Sequence, residues 1–395
     1  MISRIINLCS GFALSLLLLV TPVHSESRTP MQRLQLMQNA SLLVENNNGH
    51  ALQSLRANQP MIPASTLKLL TALMALETWG AEFRFHTDFF LDKNNHLWVK
   101  GYGDPMLISE EIDLIVMALK NNGLNEINGL SIDNSYFSKN IIIDGQSQTN
   151  NPYDASLSAL AANFNTVFVE RKNHVTFSAE PQTPLTPLAN KLSSNLKSGK
   201  HRINLGRQND GAQYFAEVLR EKLIQQGVTV TGKIINAAPP EQATCFYRHY
   251  NSRPLSEILK GMLEYSNNFI ANQLFLMMGA EKFGAPADMT KSRQAVNQFI
   301  EKKFNWRDYR IVEGAGLSRN NRLSARQLVE VLNKLAAYAD MLPSQKHNIR
   351  AKTGTLQNIS SYAGYILTPG QLKTFALIIN QPVEHDFRLH LAESL

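Results

Sequence analysis

The chain of 395 residues is long enough for two ordinary domains of roughly 100 to 200 residues each. Apolar residues make up 44% and charged residues 18% of the sequence, which excludes a chain that is disordered throughout. The formal charge of +7 comes without a long Lys/Arg block, so the composition does not favour a nucleic-acid partner. Two cysteines, Cys9 and Cys245, are too few for a disulfide scaffold or a Cys-rich zinc module, and the ten histidines lack metal-ligand spacing.

Residues 1–25 are typical of an export signal. Arg4 precedes an apolar run at 5–20, and Val23 and Ser25 fit the small-residue pattern of a cleavage site. The run is short for a transmembrane helix, which needs about 20 residues, although an uncleaved anchor remains an alternative. We expect an exported, periplasmic protein whose mature part has no membrane span and, with a single cysteine, no internal disulfide.

The first predicted elements lie before residue 80. Residues 40–46 and 51–61 have the character of two strands around a turn at 47–49. Residues 65–79 are apolar on nearly every side, with a proline shortly before and a glycine directly after them. That pattern predicts a buried helix.

The middle of the chain has a different character. Short β-like runs alternate there with turns and Pro-rich stretches, at 96–100, 129–132 and 166–170. An amphipathic helix is predicted at 212–226, followed by a strand-like segment at 228–235.

The last part returns to helices and strands. A helical pattern covers 255–279, and a hairpin is predicted at 359–381 with its turn at Pro369-Gly370. The whole arrangement indicates an α/β (α+β) fold, with strands and buried helices from both chain ends around a β-rich insertion.

Three short motifs occur in a defined order along the chain. Residues 65–68 are S-x-x-K, residues 266–268 are S-x-N, and residues 352–354 are K-T-G. Penicillin-binding proteins and serine β-lactamases carry this trio. Each motif alone is weak: a second S-x-x-K occurs at 194–197, and S-x-N recurs elsewhere. Sequence context distinguishes the two S-x-x-K matches, because Ser65 opens a predicted buried helix whereas Ser194 lies in a polar run.

The residue types suit nucleophilic catalysis. A serine hydroxyl needs a base, and Lys68 shares a helix face with Ser65 because the two are three residues apart. A lysine acts as a base when burial and a second cation lower its pKa, and Lys352 is the expected second cation. Ser266 would pass a proton from Lys68 to the leaving group, and Asn268 would hold a substrate amide and the Lys68 amine.

The K-T-G segment would bind substrate. Lys352 and Thr355 are expected to hold a terminal carboxylate, with Thr353 and Gly354 also in the substrate-binding set. Gly354 would let an extended peptide lie along the strand. The backbone N–H groups of Ser65 and Thr355 would form an oxyanion hole. Purely structural roles remain the alternative: a helix cap for Ser65, a turn for 266–268 and a strand end for 352–354.

The sequence resembles the D-alanyl-D-alanine carboxypeptidase/endopeptidase family, the class C low-molecular-mass penicillin-binding proteins. Beyond the trio, five further segments are similar to segments of that family, at 101–105, 132–137, 151–155, 163–165 and 314–318. The resemblance implies a penicillin-binding protein/β-lactamase-like transpeptidase domain from residues 26–85 and 245–395, interrupted by a β-rich insertion at 86–244. It also implies that Asp133 holds the free amine of a diaminopimelyl side chain.

Several positions depart from the family pattern. Tyr102 replaces a glycine, and Glu313 and Ala315 replace the usual Asp and Ser. The stretch at 341–352 is shortened, and the tail after Gln381 is brief. These departures bear on substrate preference and turnover more than on the chemistry of the trio.

The resemblance implies an exported serine DD-peptidase that acts on peptidoglycan stem peptides through a Ser65 acyl-enzyme. It implies no metal or organic cofactor, and it implies β-lactams as covalent inhibitors because they mimic the D-Ala-D-Ala terminus. Carboxypeptidase and endopeptidase activity both remain open. Two alternatives also remain: a β-lactamase, for which no convincing deacylating glutamate is found, and a non-catalytic peptidoglycan-binding or scaffold protein of the same fold.

Overall fold

The computed structural model describes residues 28–206, 208–346, 348–368 and 370–395. The predicted signal segment 1–25, with Cys9, lies outside these residues, as does Pro369 of the predicted turn. The described helices are α1 Pro30–Leu36, α2 Lys68–Trp79, α3 Ser109–Asn121, α4 Pro187–Ser193, α5 Gln208–Gln225, α6 Leu255–Glu264, α7 Asn268–Phe283, α8 Met289–Lys303, α9 Ala325–Leu335 and α10 Phe387–Glu393. The described strands are β1 Ala40–Glu45, β2 Ala51–Leu55, β3 His86–Leu91, β4 His96–Gly101, β5 Glu126–Ile127, β6 Gly129–Asp133, β7 Thr166–Lys172, β8 Val175–Ser178, β9 Gly199–Asn204, β10 Thr229–Val230, β11 Ile234–Asn236, β12 Thr244–Tyr250, β13 Ile349–Leu356, β14 Ile359–Thr368 and β15 Gln371–Ile379.

An antiparallel sheet joins the two ends of the chain. Its strand order is β13-β14-β15-β1-β2, so the N-terminal hairpin pairs with the C-terminal one through β1 and β15. Every residue of β1 is buried. Because side chains alternate along a strand, Leu43 packs on one face while Leu42 and Val44 pack on the other. The sheet is therefore covered on both faces.

Helix α2 lies in the core on one of those faces. It contacts α6, α7 and α9, and its side chains from Lys68 to Leu76 are all buried. A 3-10 turn at Ala64–Leu67 precedes α2 and contacts β13 and β14. The predicted buried helix at 65–79 is confirmed, with the S-x-x-K segment at its junction with this turn.

The insertion has a hydrophobic core of its own. Its five-stranded sheet has the order β11-β6-β4-β3-β12, and helices α3 and α5 contribute buried side chains to the same core. The sequence analysis did not predict α3. Its signal was present, because Ile112, Ile115, Val116 and Leu119 follow helical spacing and are buried. The insertion is therefore helical as well as β-rich.

The division into domains stays a prediction, and we propose one change to it. Strand β12 pairs along its length with β3 of the insertion. Residues 244–250 thus belong to the insertion sheet, so we propose that the second boundary falls after Tyr250 instead of before Cys245.

Three predicted elements differ in detail from the structure. Strand β2 ends at Leu55, six residues before the predicted end at Met61, which forms only an isolated bridge to Leu323. The strand-like segment 228–235 is split into β10 and β11, which belong to different sheets. The helical pattern at 255–279 is interrupted between α6 and α7. None of the helices in the described ranges has the length and apolar character needed to cross a bilayer.

A buried hydroxyl ties the joining sheet to helix α9. The Tyr365 hydroxyl on β14 donates to the Leu332 carbonyl at 2.6 Å, and Tyr365 is fully buried. We expect Tyr365→Phe to lower the free energy of unfolding by about 1 kcal/mol, the usual net worth of one such bond. Urea unfolding measures this, with Tyr338→Phe as the control because Tyr338 is partly exposed. Equal effects of both substitutions would contradict the expectation.

Candidate active site

Ser65 and Lys68 meet at the junction between the 3-10 turn and α2. Lys68 Nζ lies 3.1 Å from Ser65 Oγ, and Lys68 is fully buried while Ser65 is half-buried. Helix α2 begins without a side-chain cap, so Ser65 does not serve as its cap. The hydroxyl is therefore placed beside an amine and open on its other side.

Lys68 also bonds two oxygens from distant parts of the chain. Its Nζ lies 2.7 Å from Asn268 Oδ1 and 2.7 Å from the Ala315 carbonyl oxygen. Three segments remote in sequence thus converge on one nitrogen. The predicted proximity of the S-x-x-K and S-x-N motifs is present in the structure.

Burial lowers the pKa of Lys68 to about 7. The main cause is loss of hydration, and the positive charge of Lys352 lowers the pKa further, while the carboxylate of Glu313 opposes the shift. A substantial fraction of Lys68 is therefore neutral near pH 7. A neutral amine at 3.1 Å can accept the proton of Ser65.

The S-x-N motif occupies the break between α6 and α7. Asn267 caps α7 by accepting from the Ile270 N–H at 3.0 Å, which directs the first residue of the helix, Asn268, towards Lys68. Ser266 adopts φ of 52°, a left-handed conformation that a residue with a side chain rarely takes. Among the described residues its hydroxyl has no hydrogen-bond partner, and it lines a cavity of about 480 Å³ together with Tyr153. The predicted proton transfer through Ser266 stays a prediction.

Lys352 lies on β13 with 2% of its surface exposed. Its Nζ donates to the Thr353 carbonyl at 3.0 Å. Burial, and then the charge of Arg388, lowers the pKa of Lys352 to about 8, while Glu264 opposes the shift. The predicted pair of neighbouring lysines is thus present, and each has a lowered pKa.

Gly354 is required by the close approach of β13 to the nucleophile turn. A methyl group added there would lie 2.9 Å from both the Pro63 oxygen and the Ser65 nitrogen, and 2.2 Å from Ser361 Oγ. The expected reason for this glycine was the approach of a peptide substrate. The structure gives another reason, which is contact within the protein between β13 and the turn that carries Ser65.

Thr353 and Thr355 lie on β13 with Lys352, whereas Asp133 lies on β6 of the insertion. Thr355 is exposed at the end of the K-T-G segment and Thr353 is half-buried beside it. Asp133 is buried in the insertion, where it accepts from the Ser135 N–H at 2.9 Å and lies 3.8 Å from Lys100. It lines a cavity formed with residues such as Ala237, separate from the residues around Lys68. The structure does not bring Asp133 together with the catalytic trio, and its substrate role stays a prediction.

Glu313 organises the loop that supplies the Ala315 carbonyl. This fully buried carboxylate accepts from the backbone N–H groups of Ala315 and Gly316, each at 2.8 Å, and from the Asn321 amide at 2.7 Å. Sequence reasoning noted Glu313 only as a departure from a family pattern. An acidic residue before a G-A-G run was the available signal, because such loops need an acceptor for their exposed N–H groups.

The cluster suits proton transfer and anion binding. In the part of the chain that the structure describes, no group of three or more His, Cys, Asp or Glu side chains could hold a metal ion. Two buried lysines would repel a metal cation. The same charges favour a carboxylate, and the paired amine and hydroxyl favour attack on a carbonyl group.

The Glu313 loop also depends on Gly316. Its φ is +82°, and a methyl group there would lie 1.9 Å from the Ala64 oxygen. We expect Gly316→Ala to destabilise the protein by about 3 kcal/mol or more, through both backbone strain and overpacking. The matched control is Gly227→Ala, because Gly227 has φ of +81° with no atom within 4 Å. Urea unfolding should show the smaller loss for Gly227→Ala; similar losses would mean that packing against Ala64 is unimportant.

Comparison with known proteins places the chain in a family. The model of the D-Ala-D-Ala carboxypeptidase 3 (S13) family matches residues 27–196 and 195–346. The D-alanyl-D-alanine carboxypeptidase DacB of Haemophilus influenzae is 26% identical, over 88% of this chain and 87% of that protein. The crystal structure of penicillin binding protein 4 (dacB) from Haemophilus influenzae superposes with a TM-score of 0.75 at 22% identity, covering 92% of this chain and 98% of the other. The same protein complexed with a β-lactam superposes with a TM-score of 0.70 at 21% identity, with the same coverage. The chain belongs to the D-Ala-D-Ala carboxypeptidase 3 (S13) family.

Proposed function

We propose that this protein is a serine DD-peptidase that hydrolyses D-Ala-D-Ala termini or cross-links of peptidoglycan stem peptides. The observation that carries the proposal is the buried Lys68, whose pKa is lowered to about 7 and whose amine lies 3.1 Å from Ser65 Oγ. The family relationship supports the substrate class.

Acylation begins with transfer of the Ser65 proton to neutral Lys68. Ser65 Oγ then attacks the carbonyl carbon of the penultimate D-alanine, and the N–H groups of Ser65 and Thr355 hold the resulting oxyanion. Ser266 passes the proton from Lys68 to the leaving amine, and the C–N bond breaks. Water then attacks the acyl ester, gives one proton back to Ser65 and releases the shortened peptide.

The K-T-G strand receives the substrate. Strand β13 lies at the edge of its sheet. Its first residues bond residues 343–345 on the outer side, so an extended stem peptide can pair with the remainder, from Lys352 onwards. Lys352 and Thr355 hold the terminal carboxylate, with Thr353 and Gly354 in the same binding segment. Asn268 donates its amide N–H to the peptide while its oxygen keeps Lys68 in place.

We also propose that the protein works in the periplasm and is inhibited by β-lactams. Support for export is the signal-like pattern of residues 1–25. Support for β-lactam binding is the complex of the Haemophilus influenzae relative. A β-lactam presents a strained carbonyl next to a carboxylate, which matches the groups that Ser65 and Lys352 would engage.

A direct test uses the mature protein and its Ser65→Ala variant. We expect wild type to form a covalent adduct with a fluorescent penicillin and to cleave D-Ala-D-Ala peptides or cross-linked muropeptides, and the variant to do neither. Circular dichroism of both proteins checks that they are folded.

The possible results separate the proposal from its two rivals. Rapid turnover of the penicillin without peptide cleavage would indicate a β-lactamase. Binding of stem peptides that Ser65→Ala leaves unchanged, with no cleavage by folded wild type, would indicate a non-catalytic binding protein.

The two lysines predict a bell-shaped pH profile of kcat/KM. Lys68 must be neutral, so the rate rises about tenfold per pH unit below its pKa of about 7. Lys352 must be charged to hold a carboxylate, so the rate falls above its pKa of about 8. Lys352→Arg keeps a cation at high pH, and we expect it to move the alkaline limb upwards while the acid limb stays. A profile that is flat between pH 5 and 10 would refute the assignment of Lys68 as the base.

A further inference from the structure

The C-terminal helix α10 supplies a third cation to the K-T-G segment. Arg388 Nη1 donates to Thr355 Oγ1 at 2.9 Å and to the Gly354 carbonyl at 3.3 Å. Its neighbours Phe387 and Leu391 are buried against the face of the sheet opposite α2. The guanidinium is therefore held at the end of the proposed substrate strand by a packed helix.

The direction of the bond to Thr355 determines what that hydroxyl can do. A guanidinium has donors only, so Thr355 Oγ1 must be the acceptor. The hydroxyl proton of Thr355 then points away from Arg388 and is free to be donated. A group bound between the Thr355 hydroxyl and the Arg388 guanidinium would thus meet a donor from each, which favours an acceptor such as a carboxylate.

The charge of Arg388 is not neutralised by any residue that the structure describes. Within the described ranges no carboxylate forms an ion pair with it, and only its Nη1 has hydrogen-bond acceptors. Glu384, in the segment before α10, is instead engaged by Arg33 at 2.6 Å. Thr355, Glu384 and Arg388 are among the residues that line a cavity of about 210 Å³, so the remaining guanidinium donors have room for a ligand beside a carboxylate that Arg33 already holds.

Arg388 also acts on Lys352 through space. Lys352 begins the K-T-G segment and Arg388 bonds the carbonyl of Gly354, which ends it, so the two cations flank the same three residues of β13. After burial, the charge of Arg388 is the next cause of the lowered pKa of Lys352. A carboxylate between them would lie at the end of β13, where the scissile bond over Ser65 would place the last residue of a stem peptide.

We propose that Arg388 is a specificity-determining residue, which makes cleavage depend on an ionised carboxylate in the residue that leaves. The inference rests on the proposed DD-peptidase function and deepens it. Arg388 binds one carboxylate oxygen and orients Thr355 to donate to the carboxylate as well, while Lys352 supplies the second charge.

The test compares two peptides that differ in one group. One ends in D-Ala-D-Ala with a free carboxylate, and the other is the same peptide with a C-terminal carboxamide. We expect wild type to prefer the carboxylate. Arg388→Gln should lower kcat/KM for the carboxylate peptide about 10- to 100-fold, which is the usual worth of a hydrogen bond to a charged group, and leave the carboxamide peptide within about threefold.

Two further variants separate charge from helix packing. Arg388→Lys keeps the charge but loses the forked geometry, so we expect it to recover part of the carboxylate preference. The double variant Arg33→Gln, Glu384→Gln removes the ion pair that joins α1 to the segment before α10, and it leaves no unpaired carboxylate in the cavity beside Arg388. Its preference between the two peptides should equal that of wild type. Thermal unfolding of each variant checks the fold, and Arg388→Lys carries the comparison if Arg388→Gln is unfolded.

Each result leads to a distinct conclusion. An equal loss on both peptides in Arg388→Gln, with wild type active, overturns the inference alone, because Arg388 would then only support β13. Wild type that cleaves cross-linked muropeptides but not the carboxylate peptide overturns the inference alone. Folded wild type that cleaves neither peptide and no cross-linked muropeptide overturns the proposed function and the inference with it. A loss confined to the carboxylate peptide, with the Arg33→Gln, Glu384→Gln double variant like wild type, supports both.

Discussion

The burial of one ammonium group is the constraint on which the site depends. Lys68 lies on a core helix, where its amine would be costly to charge without compensation. Compensation comes from three oxygens, on Ser65, Asn268 and Ala315, each within 3.1 Å. These oxygens come from three remote parts of the chain, so keeping Lys68 buried and keeping the site assembled are the same requirement.

Charged groups near Lys68 act on its pKa in opposite directions. Lys352 lowers the pKa of Lys68 and Glu313 raises it, while Arg388 lowers the pKa of Lys352 in turn. Glu313 cannot simply be a counter-ion, because its oxygens are occupied by the N–H groups of its own loop. Its contribution is to fix the Ala315 carbonyl against Lys68 and to limit how far the pKa of Lys68 falls.

Local patterns predicted the parts of the site that local geometry determines. The i, i+3 spacing of Ser65 and Lys68 was enough to predict their contact, and the apolar run after them predicted the burial of Lys68. The sequence could not reveal Arg388, because its partners lie more than thirty residues away and no motif surrounds it. The break at Ser266 was foreseen only as an alternative, a turn at 266–268, because the predicted helical pattern ran from 255 to 279 and a single left-handed residue leaves no periodic signal. Asp133 was named from the family resemblance alone; the strand that carries it belongs to the insertion sheet, and its substrate role stays a prediction.

The chain-end segments and the insertion contribute different groups to the site. The groups around Ser65 and Lys68 come from the segments at both chain ends, through α2, α7, the Glu313 loop and β13. The wall of the cavity beside Ser266 comes largely from the insertion, with Tyr153, Phe164 and Arg202 among its residues. The Asn268 amide nitrogen lies 3.5 Å from the Tyr153 carbonyl while its oxygen holds Lys68, so a single side chain contacts both parts. A stem peptide bound between them would therefore meet the groups around Ser65 and Lys68 on one side and the insertion residues that line the cavity on the other. Substitution of the insertion residues that line this cavity would therefore change the surface a peptide meets while leaving in place the three oxygens that bond Lys68.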